Sequence, residues 1–254
     1  MNTMYSHRIL SEETSGVRPL ASALKILSLL DHLGTCAEAM RLAELSRSLG
    51  LPRATLYQRL ITLVEAGWVE QLEDGRFRLT LRAARLAKAA TDQAGLGDRT
   101  LPILQALVSE TGEAASLAVL EKGEPRIIQR VEPSGILKVE MHVGAAMSLR
   151  ESASGRVLAA FAAEPVLAAL KSMDAALPDR ATLQAVRQAG HSISSGRSIA
   201  GIRAAAVPVF DHAGRCIAAL SLVAPTQRFA ADGWIKPLRE AAQRLSALME
   251  GRTP

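Results

Sequence analysis

The chain has 254 residues, 48% hydrophobic and 22% charged, which suits two globular cores and excludes a disordered chain. A net charge of +5 favours a polyanionic partner such as nucleic acid but is too modest to identify one. Cys36 and Cys216 lie far apart without CxxC spacing, which argues against a disulfide framework or a zinc site, and no apolar run reaches the roughly 18–20 residues that span a bilayer.

Residues 1–18 are polar, lack a signal-peptide core and read as a flexible N-terminal arm of a cytoplasmic protein. The segment 19–80 reads as a winged helix-turn-helix. Leu20, Leu24, Leu27, Leu30 and Leu33 recur at helical spacing between Pro19 and Gly34, predicting a packing helix. A second helix follows with Leu42, Leu45 and Leu49 inward, and Gly50 supplies a sharp turn. Pro52 then opens a third helix that runs to about Ala66. Its Leu56, Leu60, Leu63 and Val64 fall on one side. Ala54, Thr55, Gln58 and Thr62 fall on the other, with Arg53 in the first turn and Tyr57 and Arg59 at the seam.

In a helix-turn-helix the second helix of the motif enters the major groove. Small residues at its start permit close approach, and Gln58 can pair with adenine through two hydrogen bonds. Arg53, Thr55, Tyr57 and Arg59 suit phosphates, and Arg53 suits guanine as well. The alternative is a solvated polar face on an ordinary core helix. The next segment favours DNA: an Asp74-Gly75 turn joins two short strands, and Arg76 and Arg78 alternate with Phe77 and Leu79. That is a wing able to reach a phosphate or the minor groove. The first 91 residues carry 12 Lys/Arg against 9 Asp/Glu, and the rest 18 against 16, so this part is also the more basic per residue.

Thr80 is positioned to cap a further helix to about residue 94, giving a linker over 81–98. From Leu101 the pattern changes. Helices are expected at 101–111, 152–163, 166–173, 182–189 and 232–248, and strands at 115–120, 126–131, 137–143, 202–210 and 216–223. Strands mixed with helix pairs indicate an α+β fold with a mostly antiparallel sheet. No GxSxG, GxxxxGK[ST] or HExxH signature is present, and Gly95-Leu96-Gly97 fails the dinucleotide fingerprint. No cofactor, metal site or catalytic residue is expected. Ser152 to Arg156 opens a helix that reads either as an anion site or as a simple N-cap.

The motifs Leu42-Ala43-Glu44-Leu45, Leu49-Gly50-Leu51-Pro52-Arg53-Ala54-Thr55 and Arg59-Leu60 come first. They are followed by Val143-Gly144, Ala153-Ser154-Gly155-Arg156, Gly201, Ala206-Val207-Pro208-Val209 and Ala219-Leu220-Ser221 with Pro225. In this order the chain resembles the IclR family of bacterial transcriptional regulators. The resemblance implies a winged-helix domain, a linker helix and, over 99–250, a GAF-like effector-binding and oligomerisation domain. It implies a homo-dimer or tetramer on a double-stranded operator, controlled by a small metabolite, with repression the commoner direction. It places the effector pocket at Ala153, Ser154, Gly155, Ser194, Ala204, Ser221 and Val223.

The chain departs from the family pattern. Ser194, Ala204 and Val223 stand where aspartate, cysteine and a second serine are frequent, and Arg156 replaces the usual lysine. Arg150 and Arg197 stand where histidine and glutamate are common. These changes trim the polar lining and add positive charge, pointing to a larger, partly apolar organic or aromatic acid whose carboxylate meets Arg150 or Arg197. Both arginines read equally as surface residues. Two alternatives are a ligand-independent regulator whose second domain only oligomerises, and an enzyme with a winged-helix assembly module.

Overall fold

The computed structural model describes residues 18–93, 96–134, 141–194, 196 and 200–249. The N-terminal arm up to residue 17, the first part of the 137–143 strand and Arg197 lie outside the described residues. Two compact units divide the chain between residues 93 and 94.

The first unit runs α1 (Ala21–Gly34), β1 (Met40–Arg41), α2 (Leu42–Leu49), α3 (Arg53–Glu65), β2 (Val69–Gln71), β3 (Arg76–Leu79) and α4 (Arg82–Gln93). Gly50 ends α2 with φ +62°, a left-handed conformation that costs glycine nothing, and Pro52 precedes the first turn of α3. Leu29, Leu33, Leu45, Leu56, Leu60, Leu63, Val69 and Phe77 make one core. The hairpin has the predicted turn at Gly75 and pairs Val69 with Leu79, Glu70 with Arg78 and Gln71 with Phe77.

Three expectations need correction here. The inner face of α1 is Ile26, Leu29, Leu30 and Leu33, whereas Leu20, Leu24 and Leu27 are 74%, 53% and 54% exposed. Leucines three apart fall short of a full turn by about 60° at each step, so the five drift around the helix rather than forming one stripe. The two-residue β1, too short to show a period, was not predicted; it adds to the hairpin with Met40 opposite Phe77. Thr80 does not cap α4: its hydroxyl donates to Gly67 O at 2.7 Å.

The second unit holds α5 (Leu101–Thr111), β4 (Ala114–Glu121), β5 (Glu124–Val131), α6 (Ala153–Ala160), α7 (Glu164–Ser172) and α8 (Arg180–Ala189). It continues with β6 (Ser192–Ile193), β7 (Ile202–Phe210), β8 (Cys216–Pro225), a 3₁₀ turn (Thr226–Arg228) and α9 (Ala231–Met249). The strands form one antiparallel sheet in the order β5-β4-β8-β7-β6. Residues 141–143 are loop and turn, so that part of the 137–143 expectation fails.

Helices cover both faces of this sheet. On one side Leu104, Leu107, Trp234, Leu238 and Leu245 pack on Ala115, Leu117, Val207, Leu220 and Leu222. On the other Ala153, Val157 and Ala160 of α6 pack on Ala206 and Ala219. Burial on both faces explains why β4 and β8 read as continuous apolar runs instead of alternating ones. Among the described residues no single helix is long and apolar enough to cross a membrane.

Candidate nucleic-acid interface and effector face

α3 turns three leucines into the core and a polar surface outward. Arg53, Ala54, Thr55, Tyr57, Gln58 and Thr62 are exposed and Arg59 is half-buried. Neither Arg53 nor Arg59 has an ion-pair partner among the described residues. Both guanidiniums therefore stand available to an external anion. Thr62 is less so, because its hydroxyl donates to Gln58 O one turn back at 2.9 Å.

The wing differs. Arg76 Nε lies 2.6 Å from Asp74 Oδ2, and the Arg76 N–H donates to the other carboxylate oxygen at 3.1 Å. Arg78 Nε lies 2.6 Å from Glu70 Oε1, its cross-strand neighbour. The backbone N–H of Arg76, and then its side chain, hold the Asp74 carboxyl below the usual carboxylate range. Phosphates would have to displace carboxylates here. Sequence alternation placed both arginines outward but gave no sign of this self-pairing.

The sequence-assigned effector residues gather on α6 and the sheet face beneath it, with Arg150 apart. Ser152 caps α6, its hydroxyl accepting the Gly155 N–H at 2.9 Å, so the opening of the helix is a simple N-cap. Arg156 does not assist an anion there: Nε donates to Arg150 O at 2.8 Å and Nη1 to Ile193 O at 3.2 Å. Gly155 is required by close approach. A Cβ at this position would lie 2.3 Å from Ser148 O and 2.7 Å from Leu149 Cα. Arg150 is exposed in the loop before the helix.

The register builds the floor. Ala114, Val223 and Ala204 sit side by side across three strands, and Ser194 continues the row, its hydroxyl accepting the Ala204 N–H at 2.7 Å. The next row is Arg130, Ser116, Ser221, Ala206 and Ser192. Ser221 donates to Ser116 O at 3.3 Å, and Arg130 Nη1 donates to the Ser116 hydroxyl at 2.8 Å. The Arg130 side chain is only 3% exposed and pairs with Glu132, whose second oxygen is buried with no hydrogen-bond partner among the described residues. Ser154 is buried at the start of α6. Sequence reasoning missed Ser116, Arg130, Glu132 and Ser192. No periodic signal marked them, because β4 is buried on both faces.

Comparison with known proteins fits this division. The model described as the IclR helix-turn-helix domain matches residues 22–73, and that described as bacterial transcriptional regulator IclR C-terminal matches residues 88–247. The chain is 27% identical over 237 residues to the HTH-type transcriptional regulator XynR of Escherichia coli, covering 89% of this chain and 94% of that protein. It is 27% identical over 233 residues to the E. coli transcriptional repressor IclR, covering 86% and 84%.

Among solved structures, an IclR homolog from Microbacterium hydrocarbonoxydans complexed with 4-hydroxybenzoate aligns with TM-score 0.78 and 25% identity, over 91% of this chain and all of that one. HmgR of Pseudomonas aeruginosa aligns with TM-score 0.74 and 25% identity, over 91% and 100%. XynR and the E. coli IclR protein are both named as transcriptional regulators, in keeping with the sequence, which carries no catalytic signature. A helix-turn-helix unit and an antiparallel domain, each matched by its own IclR family model in one chain, make this protein a member of the IclR family of DNA-binding bacterial transcriptional regulators.

Proposed function

We propose that the protein is an operator-specific regulator, acting as a repressor, whose DNA affinity is set by a small organic or aromatic acid bound on the α6 face. Residues 19–80 form the DNA-binding domain, 81–98 the linker and 99–250 the effector and oligomerisation domain. Ala54, Gln58 and Thr62 lie on the side toward the bases; Arg53, Thr55, Tyr57 and Arg59 face phosphates, with Arg53 also suited to guanine, and Arg76 and Arg78 reach a phosphate or the minor groove beside it. A homo-dimer or tetramer presents two heads to two half-sites.

The observation that carries the DNA half is the outward face of α3, where two unpaired arginines flank a run of small and amide side chains. The effector half is supported by the floor of Ala204, Ser221 and Val223 under Ser154 and by the relative bound to 4-hydroxybenzoate. Alanine and valine on this floor leave an apolar surface that suits an aromatic ring better than a two-carbon acid. Thermal-shift screening tests this directly: aromatic carboxylates should raise the melting temperature, and stabilisation by glyoxylate-sized acids alone rejects the reading. Effector binding then shifts operator affinity through a coupling free energy between the two sites.

A further inference from the structure

α4 leaves the DNA-binding unit as a helix none of whose residues is buried. Within the chain no buried contact anchors the helix, and Arg82 in its first turn ties it to the end of α3. There Arg82 Nη1 donates to Ala66 O, the carbonyl that closes α3, at 2.5 Å. The guanidinium lies 4.6 Å from the centre of the Trp68 ring. Trp68 is itself held: its N–H donates to Leu63 O at 2.9 Å and its carbonyl accepts from Thr80 N at 3.0 Å. Arg82 thus clips the root of α4 to the end of the recognition helix, and a positive charge at a helix C-terminus is favourable in its own right.

We infer that Arg82 is a positioning residue that fixes the direction of α4 relative to α3, and so sets which half-site spacing the protein accepts. Twelve residues of helix span about 18 Å, so a tilt of about 10° at the root moves the far end by about 3 Å, close to one base-pair rise. This inference rests on the paired-site reading proposed above.

The test uses the full-length protein and a duplex recovered by selection from random-sequence DNA, prepared as a half-site, as the paired site, and as the paired site with about five inserted base pairs, half a helical turn. Wild-type protein should lose about tenfold or more in affinity on the insertion, because the second head no longer reaches its half-site. Arg82→Ala should bind the half-site as wild type does, yet lose most of its preference for the native spacing. Arg82→Lys keeps the charge but offers no flat guanidinium to Trp68, and should fall between the two.

If both variants retain the wild-type spacing preference, the inference is overturned. Equal weakening on half-site and paired site also overturns it, because Arg82 would then act on folding or direct DNA contact. A wild-type protein indifferent to spacing would instead reject the paired-site reading on which the inference stands.

Discussion

The two helices that begin the candidate sites, α3 and α6, use their surfaces in opposite ways. α3 buries Leu56, Leu60 and Leu63 and leaves its polar residues in water. α6 buries seven of its eight residues, Ser154 and Gly155 among them. The first arrangement suits a large anionic partner that arrives from outside, where bare guanidiniums and short side chains allow close contact. The second packs α6 closely on the sheet, where changes of a single methyl group are felt.

The contrast predicts different kinds of damage. Gly155→Ala should be the most harmful small change, because its methyl would overlap backbone atoms of Ser148 and Leu149 that no side-chain motion can clear. A loss of about 1–3 kcal/mol in denaturant-measured stability is expected, with half-site DNA binding intact. A variant as stable as wild type would show that the loop over α6 yields easily.

On α3 the expected effects lie in binding rather than folding. Gln58→Ala should cost about 1–3 kcal/mol of discrimination between operator and random duplex in gel shifts at matched salt. Arg59→Ala should weaken both complexes alike and lower the salt slope by about one. Identical behaviour of the two variants would erase the distinction between base-facing and phosphate-facing residues.

The wing sharpens the comparison further, with the smallest effects. Glu70→Gln and Asp74→Asn each unpair one arginine, so DNA affinity should rise slightly with each change. The slope of log K against log salt should steepen by about one unit each. Glu73→Gln, in the same turn, is the control; an equal response to it would attribute the effect to net charge alone. The Asp74 carboxyl is held below its ordinary range, so its pairing is complete above that range and is lost only as pH falls through the lowered value. Between pH 6 and 8 the wing's response to salt should therefore not change.

The sequence displayed the DNA half more clearly than the effector half, for a physical reason. α3 is amphipathic, with water on one side, so its leucines and polar residues separate at helical period. β4 and β8 are covered on both faces, so Ser116 and Ser221 sit inside unbroken apolar runs and carry no period to read. Arg130 looked like any strand arginine; only cross-strand register brings it to Ser116. Even in the legible half, the leucines of α1 suggested one stripe where three of them face outward.

The contact at Gly155 bears on how a protein of this kind can acquire new ligand preferences. On the reading proposed above, ligand preference rests on residues such as Ser154, Ala204 and Val223, whereas Gly155 is pressed against the chain at Ser148 and Leu149 and leaves no room for a side chain. If that reading holds, a change of ligand in this protein would come from the residues around Gly155, with the glycine itself as a fixed pivot.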